Sequence, residues 1–501
     1  MPGGRWDPVG VRDAVRSAFA DLPPDLLLTD EDLLASYAAD ECPVQQLAGD
    51  TAHDAGHHGP PALVLLPRTT EDVAAIMRAA YAHDVPVVTR GAGSGLSGAA
   101  AARTDGAVLS TRRMHEICEI DALERVAVVQ PGVVTGDLRA AVAEHGLLYP
   151  PDPGSVGWST IGGNVATDAG GMCCVKYGVT GDFVLGLEAV LADGTVVRTG
   201  RRTAKGVAGY DLTSLLVGSE GTLAVITEVT LRLVPAPGPA QTLVATFDAL
   251  TDAGAAVEAL TYDGMALSAL EIIDRTTLRA VSARTHMDLG DPSALLIAQA
   301  DDEHADDTIR RASEICAAAG GEVVVSDDQS ESEALMEARR QALPALEALG
   351  DWVLDDVCVP RGAVVDLLTA VERIAETEGI TIGVFGHAGD GNMHPTLIHD
   401  AADPESVAAM RRAFDAITRT ALDLGGTVTG EHGIGRLKRT WLREELDGGA
   451  YAVTAALKRA MDPRNILNPG CVVPEDALDS AVDDSLDGQP HLYANPRRHH
   501  A

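Results

Sequence analysis

Two histidines bracket a short glycine-rich turn in the C-terminal half of the chain. The run reads Gly386-His387-Ala-Gly-Asp-Gly-Asn-Met-His394 and follows the apolar, strand-like segment 380–385. Glycine and aspartate favour tight turns, so residues 388–391 are predicted to connect the two strands of a hairpin. Such a hairpin would bring His387 and His394 onto neighbouring strands, within reach of one ion.

A carboxylate and a third imidazole lie between glycines further along, at Glu431 and His432 in the run 427–435. Two imidazoles and one carboxylate are a common ligand set for a divalent transition metal such as zinc. His432 is a candidate general base, because an imidazole titrates near neutral pH. From spacing alone the alternative stays open that these are loop histidines and an unrelated, structurally hydrogen-bonded Glu-His pair.

Two adjacent arginines, Arg339 and Arg340, lie on a predicted helix over 331–346. A guanidinium can hold a carboxylate through two parallel hydrogen bonds, which makes the pair a candidate anchor for an acidic substrate. The alternative is that both arginines are solvated on the surface of the helix.

Three glycine-dense stretches lie in the N-terminal half, at 90–98, at 151–155 running on to 162–171, and at 218–222. Glycine has no Cβ, so its backbone can approach a ligand closely, and successive N–H groups can surround an anion. Each stretch adjoins an apolar, strand-like run. Together they predict a long cofactor with a pyrophosphate, held along most of its length.

The first stretch contains Gly93-Ser-Gly95-Leu-Ser-Gly98, which matches the dinucleotide fingerprint GxGxxG. That fingerprint has meaning only between a strand and a helix. A strand over 85–89 precedes it, but alanines, a turn and a new apolar run at 107–110 follow. The gap is too short for a helical crossover between parallel strands. The pattern therefore argues against a Rossmann domain.

Strands and amphipathic helices alternate along the remaining chain. Residues 69–82 are predicted to form a helix capped by Thr69 or Thr70, with a buried stripe at the helical spacing. That stripe consists of Val73, Ile76, Met77 and Ala80. After the proline-rich break 235–239, the pattern indicates an α+β domain with helices on one face of an antiparallel sheet.

Four regions are predicted. Residues 1–58 form an N-terminal helical segment, with helices over 7–22 and 30–37, and residues 59–237 form a cofactor-binding domain. Residues 238–473 form a substrate or cap domain with the metal site and a C-terminal segment that returns to the cofactor. Residues 474–501 are acidic, poor in apolar residues and predicted to be disordered.

The composition excludes several classes of protein. The 501 residues carry 38 basic and 74 acidic side chains, a formal charge of −36 that repels nucleic acid and anionic membrane surfaces. Seven scattered cysteines, an odd number without a CxxC pair, argue against a disulfide framework and for a reducing compartment. No apolar run approaches the length of a membrane span. We expect a cytoplasmic protein, with a location peripheral to the membrane as the alternative.

The motifs together resemble the FAD-linked 2-hydroxy-acid dehydrogenases of the vanillyl-alcohol oxidase / p-cresol methylhydroxylase superfamily. The resemblance extends to the cytochrome-type D-lactate dehydrogenases and the FAD-linked subunit of glycolate oxidase, and it covers about residues 62–471. It implies an α+β fold, in which a two-part FAD-binding domain of the p-cresol methylhydroxylase type is followed by a ferredoxin-like α+β substrate domain. Six motifs carry it: 90–98, 150–155, 161–171 with 176–178, 209–212 with 218–222, 386–394, and 430–435 with 468–470.

The resemblance also assigns cofactor neighbours. Relatives that attach FAD covalently use a histidine where Leu96 stands, so non-covalent FAD is expected here. Asn468 is expected to close the flavin site from the far end of the chain. The other expected FAD neighbours are Gly91, Gly93, Ser94, Gly95, Leu96, Ser97, Pro151, Asp152, Ser155, Thr160, Gly163, Asn164, Gly170, Glu220, Gly221 and Ile226.

The metal-dependent members of that family use residues that match His387, His394 and Glu431 as ligands and His432 as the base. The metal is expected to be zinc, with manganese as the alternative. Arg339 matches an arginine that binds the substrate carboxylate. Relatives acting on D-2-hydroxyglutarate carry a lysine where Leu354 stands, two residues before Asp356. A short monocarboxylic acid is therefore favoured over a dicarboxylic one.

The resulting prediction is oxidation of a D-lactate-like or glycolate-like acid to the 2-oxo acid, with hydride passing from C2 to flavin N5. The alternatives are the FAD subunit of a multi-subunit glycolate oxidase and a D-2-hydroxyglutarate dehydrogenase. An alkyl-dihydroxyacetone-phosphate synthase is disfavoured, since those proteins carry a run of histidines where Glu431-His432-Gly433 stands. A sugar or alditol oxidase is disfavoured by Leu96 and by the ligand set.

The chain has no haem or iron–sulfur motif, so electrons must pass to a separate acceptor. A quinone, a cytochrome, an electron-transfer flavoprotein and oxygen are the candidates. A homodimer is one option for the oligomeric state.

Overall fold

The computed structural model describes residues 8–42, 58–203, 205–287, 289–326 and 328–480. Parts of the predicted N-terminal segment, 1–7 and 43–57, and most of the predicted disordered tail, 481–501, lie outside that description. Within it, helices and mainly antiparallel sheets confirm the α+β class.

The first sheet has four strands in the order β1-β2-β4-β3: β1 Leu27–Leu28, β2 Leu63–Leu65, β3 Val87–Arg90 and β4 Ala107–Ser110. Residues 91–106, which connect β3 to β4, contain no helix, as predicted. The two strands nevertheless pair in parallel, with Val87 opposite Ala107. The prediction that the gap is too short for a parallel crossover was therefore wrong. Extended chain covers ~3.3 Å per residue, so the glycine loop itself makes the connection without a helix.

Helices α1 Pro8–Ala18, α2 Glu31–Ala35 and α3 Thr70–Ala82 pack around this sheet. Thr69 and Asp72 form a reciprocal capping box at the start of α3, and its predicted stripe is buried. The predicted N-terminal helices are shorter than expected. The same region also supplies β1, which pairs antiparallel with β2, so it is not purely helical.

The second sheet is antiparallel, in the order β5-β6-β10-β8-β9. Its strands are β5 Ile117–Asp121, β6 Val126–Val129, β8 Val184–Val190, β9 Val196–Gly200 and β10 Val225–Arg232. A small pair, β7 Leu147–Leu148 and β11 Val234–Pro235, adjoins it. The helices of this region are α4 Thr135–Ala143, α5 Ile161–Thr167, α6 Cys174–Tyr177 and α7 Leu212–Leu216.

A large antiparallel sheet dominates the C-terminal half, in the order β15-β12-β14-β13-β18-β19-β16, with β17 also paired to β19. Its strands are β12 Gln241–Phe247, β13 Ala269–Asp274, β14 Ala294–Ala300, β15 Glu322–Val325, β16 Asp351–Leu354, β17 Val357–Cys358, β18 Thr381–His387 and β19 Asn392–His399.

Helices cover both faces of the large sheet, so the prediction that they lie on one face was wrong. One face is covered by α8 Leu250–Asp263, α10 Ala305–Ala318, α13 Val364–Glu378 and α14 Pro404–Asp423. The other is partly covered by α9 Arg275–Thr285, α11 Gln329–Arg340 and α12 Ala342–Glu347. Arg339 and Arg340 therefore end α11, and the predicted helix 331–346 is two helices. Side chains alternate along a strand, so an apolar strand buried on both sides needs packing partners on both faces.

The chain ends beside the first sheet. After α15 Arg439–Glu445 and α16 Gly448–Met461, Leu467 forms a parallel bridge with Val87 at the edge of β3. Residues 475–480 form the short helix α17 Glu475–Ser480, and Glu475 pairs with Arg103 at 2.9 Å. Disorder from residue 474 onward was thus wrong for this stretch. Short 3₁₀ helices lie at Pro24–Leu26, Thr111–Arg113, Thr180–Phe183 and Arg361–Ala363.

Within the described part of the chain, no helix is both long enough and apolar enough to cross a membrane.

Candidate active site

The glycine-rich loops and the large sheet enclose one cavity of about 410 Å³. This volume lies within the ordinary range of small-molecule sites. Most of the residues expected to contact FAD line it, together with all five expected metal-binding and catalytic residues. The cavity-lining residues of the predicted set are Gly91, Gly93, Ser94, Gly95, Leu96, Ser97, Ser155, Thr160, Gly163, Asn164, Gly170, Glu220, Gly221, Ile226, Arg339, His387, His394, Glu431 and His432.

The first glycine loop fits a phosphate-bearing cofactor. Among the described residues, the N–H groups of 93–97 donate no backbone hydrogen bond. The hydroxyls of Thr89 and Thr160, both on the cavity wall, are buried and have no hydrogen-bond partner in the described part of the chain. A Cβ on Gly91 would collide with the Thr160 hydroxyl. Free donors on a close-packed glycine backbone are the features that an anionic ligand requires.

Three expected FAD neighbours lie behind the cavity wall. Pro151 is buried next to the wall, and its carbonyl accepts from Arg139 at 3.2 Å. Asp152 accepts hydrogen bonds from the backbone N–H and the thiol of Cys173. Asn468 donates to the carbonyls of Ala99 and Glu220 at 2.8 and 2.9 Å. In the described structure these residues hold the loops that form the wall.

The predicted hairpin forms, with β18 and β19 joined by 388–391. Gly391 has φ +83°, a turn conformation that favours glycine. Phe385 pairs with His394, so His387 and His394 project from the same face of the sheet, and their ring centroids lie 5.1 Å apart. The Nε2 atoms of the two histidines lie 3.2 and 3.3 Å from Oε1 of Glu431.

The three expected metal ligands therefore converge. One ligand atom from each of His387, His394 and Glu431 lies within 4.8 Å of the others, and all three side chains are largely buried. A second group of Asp356, His394 and His432 satisfies the same criterion. Imidazole and carboxylate ligands at such separations suit a divalent transition metal.

Asp356 organises the loop that carries Glu431 and His432. Its Oδ2 accepts the backbone N–H groups of Gly430, Glu431 and His432 at 2.9, 2.9 and 2.8 Å. This role of Asp356 was not predicted from the sequence, where the residue served only as a reference position in the resemblance. A pair of aspartates directly after the strand 351–354 was the available signal. Nδ1 of His432 has no hydrogen-bond partner among the described residues, and its ring stacks on that of His394.

Glu271 is a second residue that the sequence analysis missed. It lies on β13 opposite His387, and its Oε1 is 2.7 Å from Nδ1 of that histidine. Its Oε2 accepts from Nε of Arg339 at 2.6 Å. A single carboxylate within the apolar run 269–273 was the signal that could have identified it.

The electrostatics of the cluster follow from burial and close pairing. Burial raises the pKa of Glu431, but His387 and His394 outweigh it and hold that pKa well below its usual range. Burial lowers the pKa of His387, but Glu271 and Glu431 outweigh it and raise the pKa well above the usual value. Burial lowers the pKa of His394 to about 4. Glu431 is thus a carboxylate and His394 a neutral imidazole at neutral pH, the forms in which both bind metals.

Arg339 and Arg340 differ in environment. Arg339 is buried, and its guanidinium lies over the Phe385 ring at 4.6 Å. Its Nε donates a hydrogen bond to Glu271. Among the described residues, neither terminal nitrogen of Arg339 donates a hydrogen bond. Arg340 is exposed and pairs with Glu337 at 3.2 Å. Arg339 is therefore the arginine of the pair that is placed to hold a carboxylate in the cavity.

Glu220 connects the cavity wall to the loop 429–435 that carries Glu431 and His432. Its two carboxylate oxygens accept the backbone N–H groups of Ile434 and Gly435 at 2.8 and 2.7 Å. Burial raises its pKa to about 7. Glu220 was expected to contact FAD, and it also anchors the loop that follows His432.

Comparison with known proteins identifies the family. Residues 61–200 match the family described as FAD binding domain, and residues 236–472 match FAD linked oxidases, C-terminal domain. The glycolate oxidase subunit GlcD of Bacillus subtilis is 42% identical over 431 residues, covering 84% of this chain and 91% of that protein. The chain belongs to the FAD-linked oxidase family.

Other relatives of this FAD-linked oxidase have related names. The glycolate oxidase subunit GlcD of Escherichia coli strain K12 is 37% identical, covering 83% of this chain and 84% of that protein. A D-lactate dehydrogenase of Archaeoglobus fulgidus is 36% identical, covering 82% and 91%. The resemblance seen in the sequence is thereby confirmed, and the chain is an FAD-linked oxidoreductase acting on a CH–OH group.

Solved structures show the same fold. p-Cresol methylhydroxylase with substrate bound has a TM-score of 0.74 at 20% identity, covering 93% of this chain and 98% of that one. An alkyldihydroxyacetonephosphate synthase has a TM-score of 0.69 at 19% identity, covering 94% and 86%. The fold of the p-cresol methylhydroxylase type is thus confirmed.

Proposed function

We propose that this FAD-linked oxidase oxidises a short D-2-hydroxy acid to the 2-oxo acid. His387, His394 and Glu431 would hold a divalent metal that assists the reaction, with zinc favoured and manganese as the alternative. The observation that carries the proposal is the convergence of these three side chains on the wall of the FAD cavity. The names of the relatives support the substrate class.

Each participant has a separate task. FAD held by the glycine loops would supply the hydride acceptor, and a metal held by His387, His394 and Glu431 would supply Lewis-acid stabilisation of the substrate oxygens. Arg339 directs its two terminal nitrogens to the substrate carboxylate, which fixes the face that C2 presents. His432 holds the hydroxyl proton at a ring nitrogen, since its side chain lines the cavity.

The wall beyond Arg339 favours a short substrate with one carboxylate. Leu343, Trp352, Leu354 and Phe385 line this part of the cavity. Arg340 also lines the cavity, but it is paired with Glu337 at 3.2 Å. A second carboxylate would therefore lie mostly against apolar side chains and lose its hydration, which is costly. D-lactate and glycolate are therefore preferred over D-2-hydroxyglutarate.

The decisive measurement is the visible absorption of the purified protein under anaerobic conditions. D-lactate, L-lactate, glycolate and D-2-hydroxyglutarate are added in turn. We expect a flavin spectrum that bleaches with D-lactate or glycolate and not with L-lactate. A flavin spectrum that none of the four changes would contradict the substrate class, and bleaching by D-2-hydroxyglutarate alone would contradict the role given to Leu354.

A second candidate is the FAD subunit of a multi-subunit glycolate oxidase, favoured by the GlcD relatives. The electron acceptor would then be reached through partner subunits, whereas a single-chain dehydrogenase would pass electrons to a quinone, a cytochrome or an electron-transfer flavoprotein. An assay of this chain alone with an artificial dye separates the two. Full turnover indicates a complete catalyst, and reduction of flavin without sustained turnover indicates a subunit.

A further inference from the structure

We propose that Glu271 is a positioning residue that sets the separation between the metal-binding imidazole of His387 and the guanidinium of Arg339. The inference rests on the proposed function, since it assigns metal and substrate to those two side chains. Glu271 is fully buried, with an exposed fraction of 0%. Its two carboxylate oxygens have different partners, which are the two groups that must hold opposite ends of one substrate.

The sheet determines the first contact. Glu271 and His387 are direct neighbours in the antiparallel pairing of β13 with β18, and both side chains point to the face that lines the cavity. Directly opposed residues have Cβ atoms about 5 Å apart. The 2.7 Å contact between Oε1 and Nδ1 is therefore a consequence of strand register.

That contact selects one tautomer of His387. His387 must lose one proton to bind a metal. Because Nδ1 keeps its proton in the hydrogen bond to Glu271, the proton leaves Nε2, the atom that lies 3.2 Å from Glu431. Carboxylates that hold the second nitrogen of a metal-binding histidine in this way orient the ring and strengthen its ligation.

The second contact determines the direction of Arg339. Oε2 of Glu271 accepts a hydrogen bond from Nε of Arg339 at 2.6 Å, and the Phe385 ring packs against one face of the guanidinium. The guanidinium is planar, so holding Nε and one face leaves the terminal nitrogens one orientation, toward the cavity that Arg339 lines. An ionised carboxylate offers both of its oxygens as acceptors, so it can accept from both partners at once.

A simpler reading gives Glu271 only the task of neutralising buried positive charge. The variants Glu271→Gln and Glu271→Asp separate the two readings. Glu271→Gln removes the negative charge and one hydrogen-bond acceptor. Glu271→Asp keeps the charge, but its side chain is shorter by one methylene, so the carboxylate lies further from His387 and Arg339. If position matters, both variants are impaired; if charge alone matters, Asp behaves as wild type.

The experiment measures zinc affinity by chelator competition and oxalate affinity by perturbation of the flavin spectrum. Glu228→Gln, a strand carboxylate outside the cavity, is the matched control. For Glu271→Asp and Glu271→Gln we expect zinc affinity to fall by ~10- to 100-fold. Relative to wild type, oxalate affinity should fall by about tenfold or more, the size of effect that follows from losing a hydrogen bond to a charged group. Arg339→Lys is expected to weaken oxalate binding with zinc affinity unchanged.

Wild-type affinities in Glu271→Asp would overturn the inference in favour of charge neutralisation. Unchanged zinc and oxalate binding in Glu271→Gln would overturn it outright. If the wild-type protein itself holds no zinc, the metal part of the proposed function fails and the histidine half of the inference fails with it. The oxalate measurement still decides the arginine half in that case.

Discussion

At the scale of single residues, the site depends on carboxylates that accept several donors each. Asp356 accepts three successive backbone N–H groups of the loop 429–435, and Glu220 accepts two more just beyond them. Burial raises the pKa of Asp356, but His432 and Lys438 outweigh it and hold the pKa well below its usual range. Two carboxylates from different parts of the chain thus hold His432 in place from both sides.

His432→Ala should lose catalysis and keep the cofactor. General base catalysis contributes typically ~10²- to 10⁴-fold, so we expect kcat to fall by that amount. The flavin spectrum and the melting temperature should stay as in wild type. The matched control His304→Ala, a mostly exposed histidine, should retain full activity. Activity in His432→Ala within threefold of wild type would contradict the assignment of the base.

The stability conferred by Glu220 should depend on pH. Its pKa is raised in the folded protein to about 7 from an ordinary value of 4.5. The neutral form therefore contributes stability that is fully present below about pH 4.5 and is lost as pH rises through about 7. We expect the melting temperature of wild type, relative to that of Glu220→Gln, to fall between pH 5 and pH 8. A difference between the two proteins that is the same at every pH would contradict this.

At the scale of elements, two pieces of backbone carry the three proposed metal ligands. The β18–β19 hairpin presents two histidines from one face, because its four-residue turn keeps Phe385 opposite His394. The loop 429–435 has no regular structure and depends on carboxylates for its shape. The glycine segment 162–171 packs directly beneath Glu431, since a Cβ on Gly170 would overlap that carboxylate.

Gly170→Ala should therefore displace Glu431 and weaken the metal site. We expect zinc affinity to fall by about tenfold or more, in the range seen when the surroundings of metal ligands are changed. Gly157→Ala is the matched control, because a Cβ there meets nothing within 4 Å. Zinc content after dialysis against a chelator is the measurement. Equal zinc retention by the two variants would show that Glu431 is not constrained by Gly170.

At the scale of the whole molecule, the cavity exists only where the glycine-rich half meets the large sheet. Asp301, directly after β14, accepts hydrogen bonds from Lys176 at 2.5 Å and from Tyr177 at 2.8 Å across this junction. At the other end, Asn468 ties the returning C-terminal segment to the glycine loop. The 501-residue chain thus closes its active site through contacts between residues far apart in sequence.

Asp301→Asn should loosen the junction. Hydrogen bonds to charged groups contribute typically about 2 kcal/mol, so we expect a lower melting temperature and faster release of FAD. Glu303→Gln, a neighbouring exposed carboxylate, is the control and should change neither quantity. Unchanged FAD release in Asp301→Asn would show that the junction does not limit access to the cofactor.

Local elements of the fold could be predicted from the sequence, whereas the pairing of strands and the placement of helices on the sheet could not. Helix α3, the hairpin and the absence of a helix after the first glycine loop follow from local capping, turn and spacing rules, and the structure bears them out. The parallel pairing of β3 with β4 and the helices on both faces of the large sheet were not predicted. The direction in which two strands pair, and the number of sheet faces that helices cover, depend on which distant segments pack against each strand. Local sequence patterns do not encode those contacts.

The sequence by itself determined which side chains are proposed to carry the chemistry, because glycine loops, paired histidines and a Glu-His pair are identifiable from residue type and spacing. Only the tertiary structure decided their partners. Glu271 meets His387 through strand register, and Asp356 meets the loop at 430–432 through the arrangement of β16, β17 and β19. These are contacts between groups distant in the chain, and their formation depends on packing of the whole fold.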